Sequence, residues 1–289
     1  MPRLSAFLIT KNEAQDLPSC LESIRACADE IVVVDDLSTD DTVEICRRHG
    51  ARVYSRPLDG FGPQKQFALE QTTGDWALSL DADERLTPEL AREIRQTLAR
   101  PEPSVAFALR RHLFFLGRRL RFGGVGSDWS VRLLKRGHGR FRDLLIHESL
   151  EVDGPCGRLR HPVNHFSYAT LEEYLAKRSL YTVLSAEQAY RRGRRFSRFD
   201  HLRPAWEIFT RVILRGAWLD GQPGIIYAML SADTAWLRAV RLWEMEKARR
   251  QAPPIRTTSA PGPASDGPAA EGRREPGHSS SPPPCPPAE

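Results

Sequence analysis

Short apolar segments alternate with helical patterns through the first hundred residues, and this alternation limits the possible folds more than any other feature. The segments span residues 4–9, 31–35, 52–55 and 76–81. Strands of this length and apolar character are typical of a parallel sheet that helices cover on both faces. The sequence therefore predicts an α/β fold with a mostly parallel sheet flanked by helices.

Capping residues and prolines indicate where the intervening helices begin. Asp16, Thr39 or Asp40, and Pro88 each stand where a helical pattern starts, and residues 62–72 form a further helical pattern. Asp and Thr side chains can accept the free N–H groups of a first turn, and Pro is favoured at the first helical position. We therefore expect a helix after each of the four strands.

Composition divides the rest of the chain. Residues 101–168 contain short strand-like pieces between basic, glycine-containing turns, so residues 1–168 are predicted to form one domain with halves 1–100 and 101–168. Residues 169–250 have helical patterns and are expected to form a C-terminal helical extension. Residues 251–289 are rich in Pro, Ser, Gly and Ala, and such a composition predicts a disordered tail.

Charge and cysteine content restrict the partners and the compartment. The chain carries 42 Lys and Arg against 37 Asp and Glu, a net charge of +5, which permits nucleic acid, a phosphorylated substrate or acidic lipid as a partner. No nucleic-acid recognition motif is present, so we expect no nucleic-acid partner. No run of about 18 apolar residues predicts a membrane span, and we find no signal-peptide pattern. Five cysteines without metal-ligand spacing favour a reducing cytoplasm.

Two acidic residues follow the fourth predicted strand as Asp81-Ala-Asp83-Glu84. In an extended segment the side chains of residues 81 and 83 would point to the same face. The carboxyl edge of a parallel sheet is where such folds bind ligands, and Mg²⁺ or Mn²⁺ takes one or two carboxylates together with phosphate oxygens. The alternative interpretation is a solvated acidic turn that caps the next helix.

Polar residues also end the first two predicted strands. Thr10 and Glu13 follow the first strand, and Asp35 and Asp36 follow the second. One of these aspartates can accept hydrogen bonds from a nucleoside, while the next few residues, from Ser38 onward, can cap a helix. Neither a GxGxxG motif nor a P-loop is present, which disfavours a dinucleotide site or a Walker-type phosphate site.

Taken in order, these motifs resemble those of the family-2 inverting glycosyltransferases with the GT-A fold. The three motifs are residues 8–13, 32–42 and 79–84. Residues 128–134, 146–150 and 216–224 narrow the resemblance to the bacterial subgroup that includes lipopolysaccharide core β-1,4-glucosyltransferases. The resemblance implies an inverting transfer of a hexose, glucose by similarity to the subgroup, from a UDP-sugar to an anionic glycolipid or saccharide such as the lipopolysaccharide inner core.

The resemblance also implies residue roles. The nucleotide and its sugar would be bound by Thr10, Glu13, Asp36, Lys65 and Asp81, and the divalent metal by Asp83. The acceptor hydroxyl needs a carboxylate base, for which Glu148 is preferred over Asp128. His147 would ligate the metal or bond the acceptor. Arg132 would contact a phosphate or stack on Trp129.

The helical extension is strongly basic. Residues 173–250 carry 15 Lys and Arg against 8 Asp and Glu, beside a segment rich in Trp, Ile and Leu around residues 206–218. This pattern predicts an interfacial helix on anionic lipid, and thus a peripheral protein on the inner face of the bacterial cytoplasmic membrane. Packing of these helices on the catalytic domain is the alternative. A membrane-docked nucleotide-sugar scaffold without turnover and a sugar nucleotidyltransferase remain alternative functions.

Overall fold

The structure is a computed structural model that describes residues 1–100, 103–125, 128–142 and 150–251. In chain order the strands are β1 Leu4–Thr10, β2 Glu30–Asp35, β3 Arg52–Ser55, β4 Trp76–Ser79, β5 Glu84–Leu86, β6 Ala106–Phe115, β7 Arg118–Arg119, β8 Trp129–Lys135, β9 Gly139–Phe141, β10 Leu150–Val152, β11 Cys156–Arg158 and β12 Val163–Tyr168. The α-helices are α1 Leu17–Arg25, α2 Thr42–Arg48, α3 Phe61–Glu70, α4 Pro88–Leu98, α5 Leu171–Arg191, α6 Arg203–Phe209 and α7 Gln222–Gln251.

The main sheet has the strand order β3-β2-β1-β4-β8-β6-β12-β5. Its first four strands are parallel, with β1 between β2 and β4. Strand β8 is antiparallel to both β4 and β6, β12 is parallel to β6, and β5 is antiparallel to β12. The predicted α/β class with a helix-flanked sheet is confirmed. The second half is mixed because β6 and β8 are connected without a crossover helix, which allows an antiparallel pair.

Strand β1 is buried on both faces, as its apolar sequence predicted. Leu8 packs in the larger apolar cluster, which includes Leu21 of α1 and Ile94 of α4. Phe7, the preceding residue, packs in a second cluster with Ala68 of α3. Because successive side chains of a strand point to opposite faces, the helices form one layer on each side of the sheet.

Two of the predicted helix starts are confirmed and one differs. Helix α1 begins at Leu17, directly after Asp16, and helix α4 begins at Pro88, with the Thr87 hydroxyl accepting the N–H of Leu90 at 3.2 Å. Helix α2 begins only at Thr42, and the Asp40 carboxylate accepts the N–H groups of Thr42 at 3.0 Å and Ala14 at 3.2 Å.

The Asp16 carboxylate makes no capping hydrogen bond to α1. It pairs with Arg85 at 3.1 Å. Asp16 thus joins two separate segments without the predicted cap, whereas Asp40 bonds both to the first N–H of α2 and to the loop after β1.

The predicted C-terminal helical extension is confirmed as α5, α6 and α7. Two short 3₁₀ helices, Arg198–Leu202 and Ala217–Asp220, and a π-helical turn, Thr210–Leu214, lie beside α6. The Tyr174 hydroxyl of α5 bonds the carbonyl oxygen of Leu230 in α7 at 3.0 Å. Among the described residues, no helix combines the length and the apolar character needed to span a membrane.

Candidate active site

The loops that follow β1 and β2 are joined to each other at the carboxyl edge of the sheet. The backbone N–H of Asn12 donates to the Ser38 hydroxyl at 2.8 Å, and the Asn12 side-chain oxygen accepts the N–H of Thr39 at 2.8 Å. The N–H of Glu13 donates to the Thr42 hydroxyl, also at 2.8 Å. Asn12 has a φ of +52°, a left-handed conformation that Asn tolerates better than most residues.

The two aspartates after β2 occupy different environments. Asp35 is buried, and its carboxylate accepts the Thr10 hydroxyl at 3.2 Å and the N–H of Ser38 at 2.8 Å. Thr10 is therefore buried beside Asp35 and supports the loop. The Asp36 carboxylate pairs with Lys11 at 3.1 Å, accepts the N–H of Leu58 at 2.9 Å and keeps 18% of its side chain exposed, so Asp36 is the more accessible of the two aspartates.

The predicted extended geometry of residues 81–83 is wrong. These residues form a turn after β4, in which the N–H of Glu84 donates to the carbonyl of Asp81 at 3.0 Å. The Glu84 carboxylate in turn accepts the N–H of Asp81 at 3.0 Å. Because the chain turns here, the side chains of Asp81 and Asp83 have separate partners and do not form one bidentate acidic pair.

Asp81 lies between two buried cations. Lys65 of α3 donates to one carboxylate oxygen at 2.9 Å, and Arg132 of β8 donates to the other at 2.8 Å. Burial opposes ionisation of Asp81, but the Arg132 guanidinium and the Lys65 ammonium hold its pKa well below the usual range. Lys65 and Arg132 thus fix Asp81 as a carboxylate. The guanidinium that lies over the Trp129 ring belongs to Arg158, whose central carbon is 5.0 Å from the ring centre. The sequence had suggested Arg132 for this stacking contact.

Glu84 is a residue of the candidate site that the sequence reasoning did not select. It is fully buried, accepts from Arg132 at 3.0 Å, and has the Arg111 guanidinium 3.7 Å away. Its position at the end of the Asp81-Ala-Asp83-Glu84 motif was the available signal. Glu84 connects the turn after β4 to strands β6 and β8, so it stabilises the position of Asp81.

Asp83 faces a histidine and a lysine. The Nε2 atom of His165 on β12 lies 3.3 Å from the Asp83 carboxylate, and the Lys177 ammonium of α5 lies 3.5 Å from it. Burial raises the pKa of Asp83, but His165 and Lys177 more than offset that effect and lower it. Burial lowers the pKa of His165, but the carboxylates of Asp83 and Glu84 raise it by more, so the pKa lies above its usual value. No local signal in the sequence distinguished His165 or Lys177.

Glu13 belongs to the same group of charges. Its carboxylate lies 3.9 Å from the Lys177 ammonium, and 23% of its side chain is exposed. The pKa of Glu13 is raised to about 7, mainly by burial. The charge of Lys177 lowers this pKa and partly offsets the rise, whereas the charge of Asp83 adds to it. Glu13 therefore changes charge near neutral pH.

The Asp83–His165 pair fits a divalent cation. Ligands that occupy adjacent positions of an octahedral shell are about 3 Å apart, and the carboxylate oxygen and imidazole nitrogen are 3.3 Å apart. Within the described ranges no group of three or more potential His, Cys, Asp or Glu ligands occurs. A cation bound by two protein ligands would take its other oxygens from water and phosphate, as Mg²⁺ commonly does.

Asp128 is the one proposed base that lies within the described ranges. Its Oδ2 atom accepts two N–H groups of Arg111, the Nε–H at 2.7 Å and one from a terminal nitrogen. The backbone carbonyl of Asp128 also accepts the N–H of Arg111 at 2.9 Å. One carboxylate oxygen of Asp128 is therefore already engaged. Glu148 and His147 lie outside the described residues.

Comparisons with known proteins identify the family from the sequence. A sequence model described as glycosyl transferase family 2 matches residues 5–160. A lipopolysaccharide core biosynthesis glycosyltransferase of Rhizobium meliloti is 34% identical over 252 residues, covering 83% of this chain and 92% of the relative. An uncharacterized glycosyltransferase of Rickettsia felis is 30% identical over 256 residues, covering 84% and 90%. A solved mannosyl-3-phosphoglycerate synthase from Rubrobacter xylanophilus is 18% identical with a TM-score of 0.44, covering 66% and 75%.

Proposed function

The chain belongs to glycosyl transferase family 2, and on that premise we propose that it transfers a hexose from a UDP-sugar, with inversion, to an anionic glycolipid or saccharide acceptor. A glycosyltransferase of lipopolysaccharide core biosynthesis is similar over most of both chains, which supports an acceptor such as the lipopolysaccharide inner core. Glucose is the proposed donor sugar, because the sequence motifs resemble those of core glucosyltransferases.

The Asp83–His165 pair is the observation that carries the proposal. Asp83 and His165 would hold a Mg²⁺ or Mn²⁺ ion, whose chemistry is Lewis-acid stabilisation of charge on the departing diphosphate. Asp36, which follows β2, is the proposed contact for the uracil or ribose. Asp81, held as a carboxylate by Lys65 and Arg132, is the proposed contact near the ribose.

A base must remove the proton of the acceptor hydroxyl as that oxygen attacks the anomeric carbon. We propose Glu148 for this role, with Asp128 as the second candidate, because Arg111 already occupies one carboxylate oxygen of Asp128. Glu13, whose pKa is raised to about 7 by burial, would contribute to the nucleotide side of the pocket.

An apolar stripe on the helical extension supports the proposal of a peripheral membrane protein. Five large apolar side chains recur at intervals of three or four residues, and each is 44–65% exposed: Phe199, Leu202, Trp206, Phe209 and Ile213. Such spacing puts them on one face of the helical segment, and arginines lie between them in the sequence. A solvent-exposed face of this kind, flanked by arginines, fits the interface of an anionic bilayer on the inner side of the cytoplasmic membrane.

The proposal is tested by measuring products. The purified chain is incubated with UDP-glucose, Mn²⁺ and lipopolysaccharide inner core, and UDP and glycosylated acceptor are quantified. Release of UDP in proportion to acceptor glycosylation supports glycosyl transfer, whereas nucleotide binding without any UDP release supports the scaffold. Release of pyrophosphate from a nucleoside triphosphate would instead support a nucleotidyltransferase.

A further inference from the structure

A cavity of about 170 Å³ lies inside the helical extension, away from the candidate active site. One water needs only about 15 Å³ of such space, so the cavity has room for a larger group. Ala189 of α5 and Ala235 and Ala239 of α7 form part of its wall, and their small side chains leave the space open. The other side is polar.

Three arginines and one aspartate line the polar side: Arg194, Arg203, Arg238 and Asp200. Asp200 is buried, and its Oδ1 atom accepts from Arg194 at 2.5 Å and from Arg203 at 3.4 Å. Its Oδ2 atom accepts the N–H of Ser197 at 2.8 Å. Both carboxylate oxygens of Asp200 are therefore occupied without Arg238.

Arg238 has no ion pair with any of the described residues. The pKa of Arg238 is lowered by burial and by the charges of Arg203 and Arg194. Asp200 and Glu207 raise this pKa, but by less than the lowering effects. Glu207 is itself paired with Arg211 at 2.6 Å. The cavity thus holds three guanidinium groups against one carboxylate, which leaves about two positive charges uncompensated.

A phosphate monoester carries about −1.5 to −2 charge at pH 7 and offers three acceptor oxygens, which arginine recognises with paired N–H groups. Arg194 and Arg203 are 42% and 44% exposed, so the cavity can exchange ligands with solvent. Phe199 and Leu202 of the apolar stripe belong to the same 3₁₀ helix as Asp200. We propose that this cavity binds a phosphate monoester, either in solution or as the headgroup of a membrane lipid.

Thermal unfolding tests the proposal without measuring turnover, so its failure is distinct from failure of the proposed transferase activity. We expect inorganic phosphate to raise Tm by about 2 °C or more relative to chloride at equal ionic strength. Arg238→Gln should lose this response. Arg249→Gln removes the same charge from an exposed site on the same helix and should keep it.

A purely structural role for Arg238 makes the opposite prediction. If Arg238 only stabilised the helices, Arg238→Gln would lower Tm in phosphate-free buffer. If Arg238 instead serves to bind an anion, Arg238→Gln relieves the repulsion from Arg194 and Arg203 and leaves Tm unchanged or higher. Ala235→Leu serves as a second variant, because it fills the cavity while keeping all three arginines, and it too should lose the phosphate response.

Vesicle sedimentation distinguishes the two sources of phosphate. Phosphatidic acid presents a monoester headgroup, whereas phosphatidylglycerol at matched surface charge presents a diester. Several-fold weaker binding of Arg238→Gln to phosphatidic acid vesicles alone would assign the site to a lipid headgroup. Equal binding of both proteins, with the phosphate response in Tm intact for the wild type, would assign it to soluble phosphate. Absence of both effects in the wild type overturns the proposal.

Discussion

The ammonium of Lys177 lies 3.5 Å from the carboxylate of Asp83 and thereby connects the helical extension to the candidate active site. Lys177 belongs to α5, the first helix of the extension, and it also lies 3.9 Å from the carboxylate of Glu13 in the loop after β1. The extension therefore contributes a charge to the site, in addition to the membrane-facing role proposed for it. A cation bound at Asp83 would have to compete with this ammonium group.

The Asp83–His165 pair predicts a metal requirement that depends on both residues. Asp83→Asn and His165→Ala should each abolish Mn²⁺-dependent binding of UDP and lower turnover by more than about 100-fold, because even loss of a residue that supports a metal ligand costs 10–100-fold. Calorimetry with UDP, with and without Mn²⁺, measures the effect. His161→Ala is the control, since His161 is half-exposed and pairs with Glu93 away from the site. Retention of Mn²⁺-dependent UDP binding by both variants would contradict the assignment.

Arg132 should stabilise the folded protein as well as hold Asp81 in the candidate site. Its guanidinium is bonded to the buried Glu84 and to Asp81, so Arg132→Met leaves a buried carboxylate with too few partners. We expect the free energy of unfolding to fall by about 3 kcal/mol in urea denaturation. Arg136→Gln, at an exposed position after β8, should change it by less than about 0.5 kcal/mol. Equal effects of the two substitutions would argue against a stabilising role for the Arg132 pairs.

Glu13 predicts a pH dependence of stability. Burial raises its pKa from 4.5 to about 7, so between these values the folded state holds a proton that the unfolded state has lost. The contribution of Glu13 to stability is therefore greatest below pH 4.5 and is lost as the pH rises through 7. Glu13→Gln should be more stable than the wild type at pH 8, by about 2 kcal/mol, and nearly equal to it at pH 5.

Urea denaturation at both pH values measures this difference. Glu22→Gln is the control, because Glu22 is exposed on α1 and should show the same small difference from the wild type at each pH. A Glu13→Gln effect that does not change with pH would mean that Glu13 does not titrate in this range.

The identity of the base can be decided by two matched variants. Glu148→Gln should lower kcat by about 10²–10⁴-fold while UDP-sugar affinity stays nearly unchanged, because a base acts on the acceptor hydroxyl and not on the nucleotide. Asp128→Asn should have a smaller effect on kcat, since one of its oxygens is engaged by Arg111. Single-turnover kinetics together with UDP-sugar binding measure both. The reverse order of effects would assign the base to Asp128.

The apolar stripe predicts binding to anionic vesicles. Replacing Trp206 and Ile213 together by Ser removes two exposed apolar side chains from the stripe and should weaken co-sedimentation at least tenfold, with UDP binding unchanged. Trp243→Ser, at an exposed tryptophan of α7 outside the stripe, is the control. If the wild-type protein fails to bind anionic vesicles at low salt, the proposal of a membrane-binding stripe is wrong.

Local sequence signals were sufficient for the first half of the fold. The apolar strands and the start of α4 at Pro88 depend on residues that are close in the chain, and the structure confirms them. Asp16 instead pairs with Arg85 in another segment and makes no capping bond, and Asp40 bonds to Ala14 in another loop as well as to the first N–H of α2. Tertiary contacts therefore changed the capping roles that the sequence suggested. The antiparallel pairing of β8 with β4 and β6 likewise depends on contacts that no local pattern encodes.

The candidate site was only partly predictable for the same reason. The motifs after β1, β2 and β4 indicated Asp36, Asp81 and Asp83, because those residues follow apolar strands that end at one edge of the sheet. His165 and Lys177 come from β12 and α5, far along the chain, and only the folded structure brings them to Asp83.

The hydrogen bonds of Asn12 with Ser38 and Thr39 affect the entropic cost of binding a nucleotide at the loops after β1 and β2. Because the two loops are already joined in the free protein, the backbone there loses little further freedom when a ligand arrives. Most of the entropic cost of ordering these two loops is therefore met when the protein folds. Nucleotide binding at these loops should consequently be close to rigid docking, and the loops should resist proteases equally well with and without nucleotide.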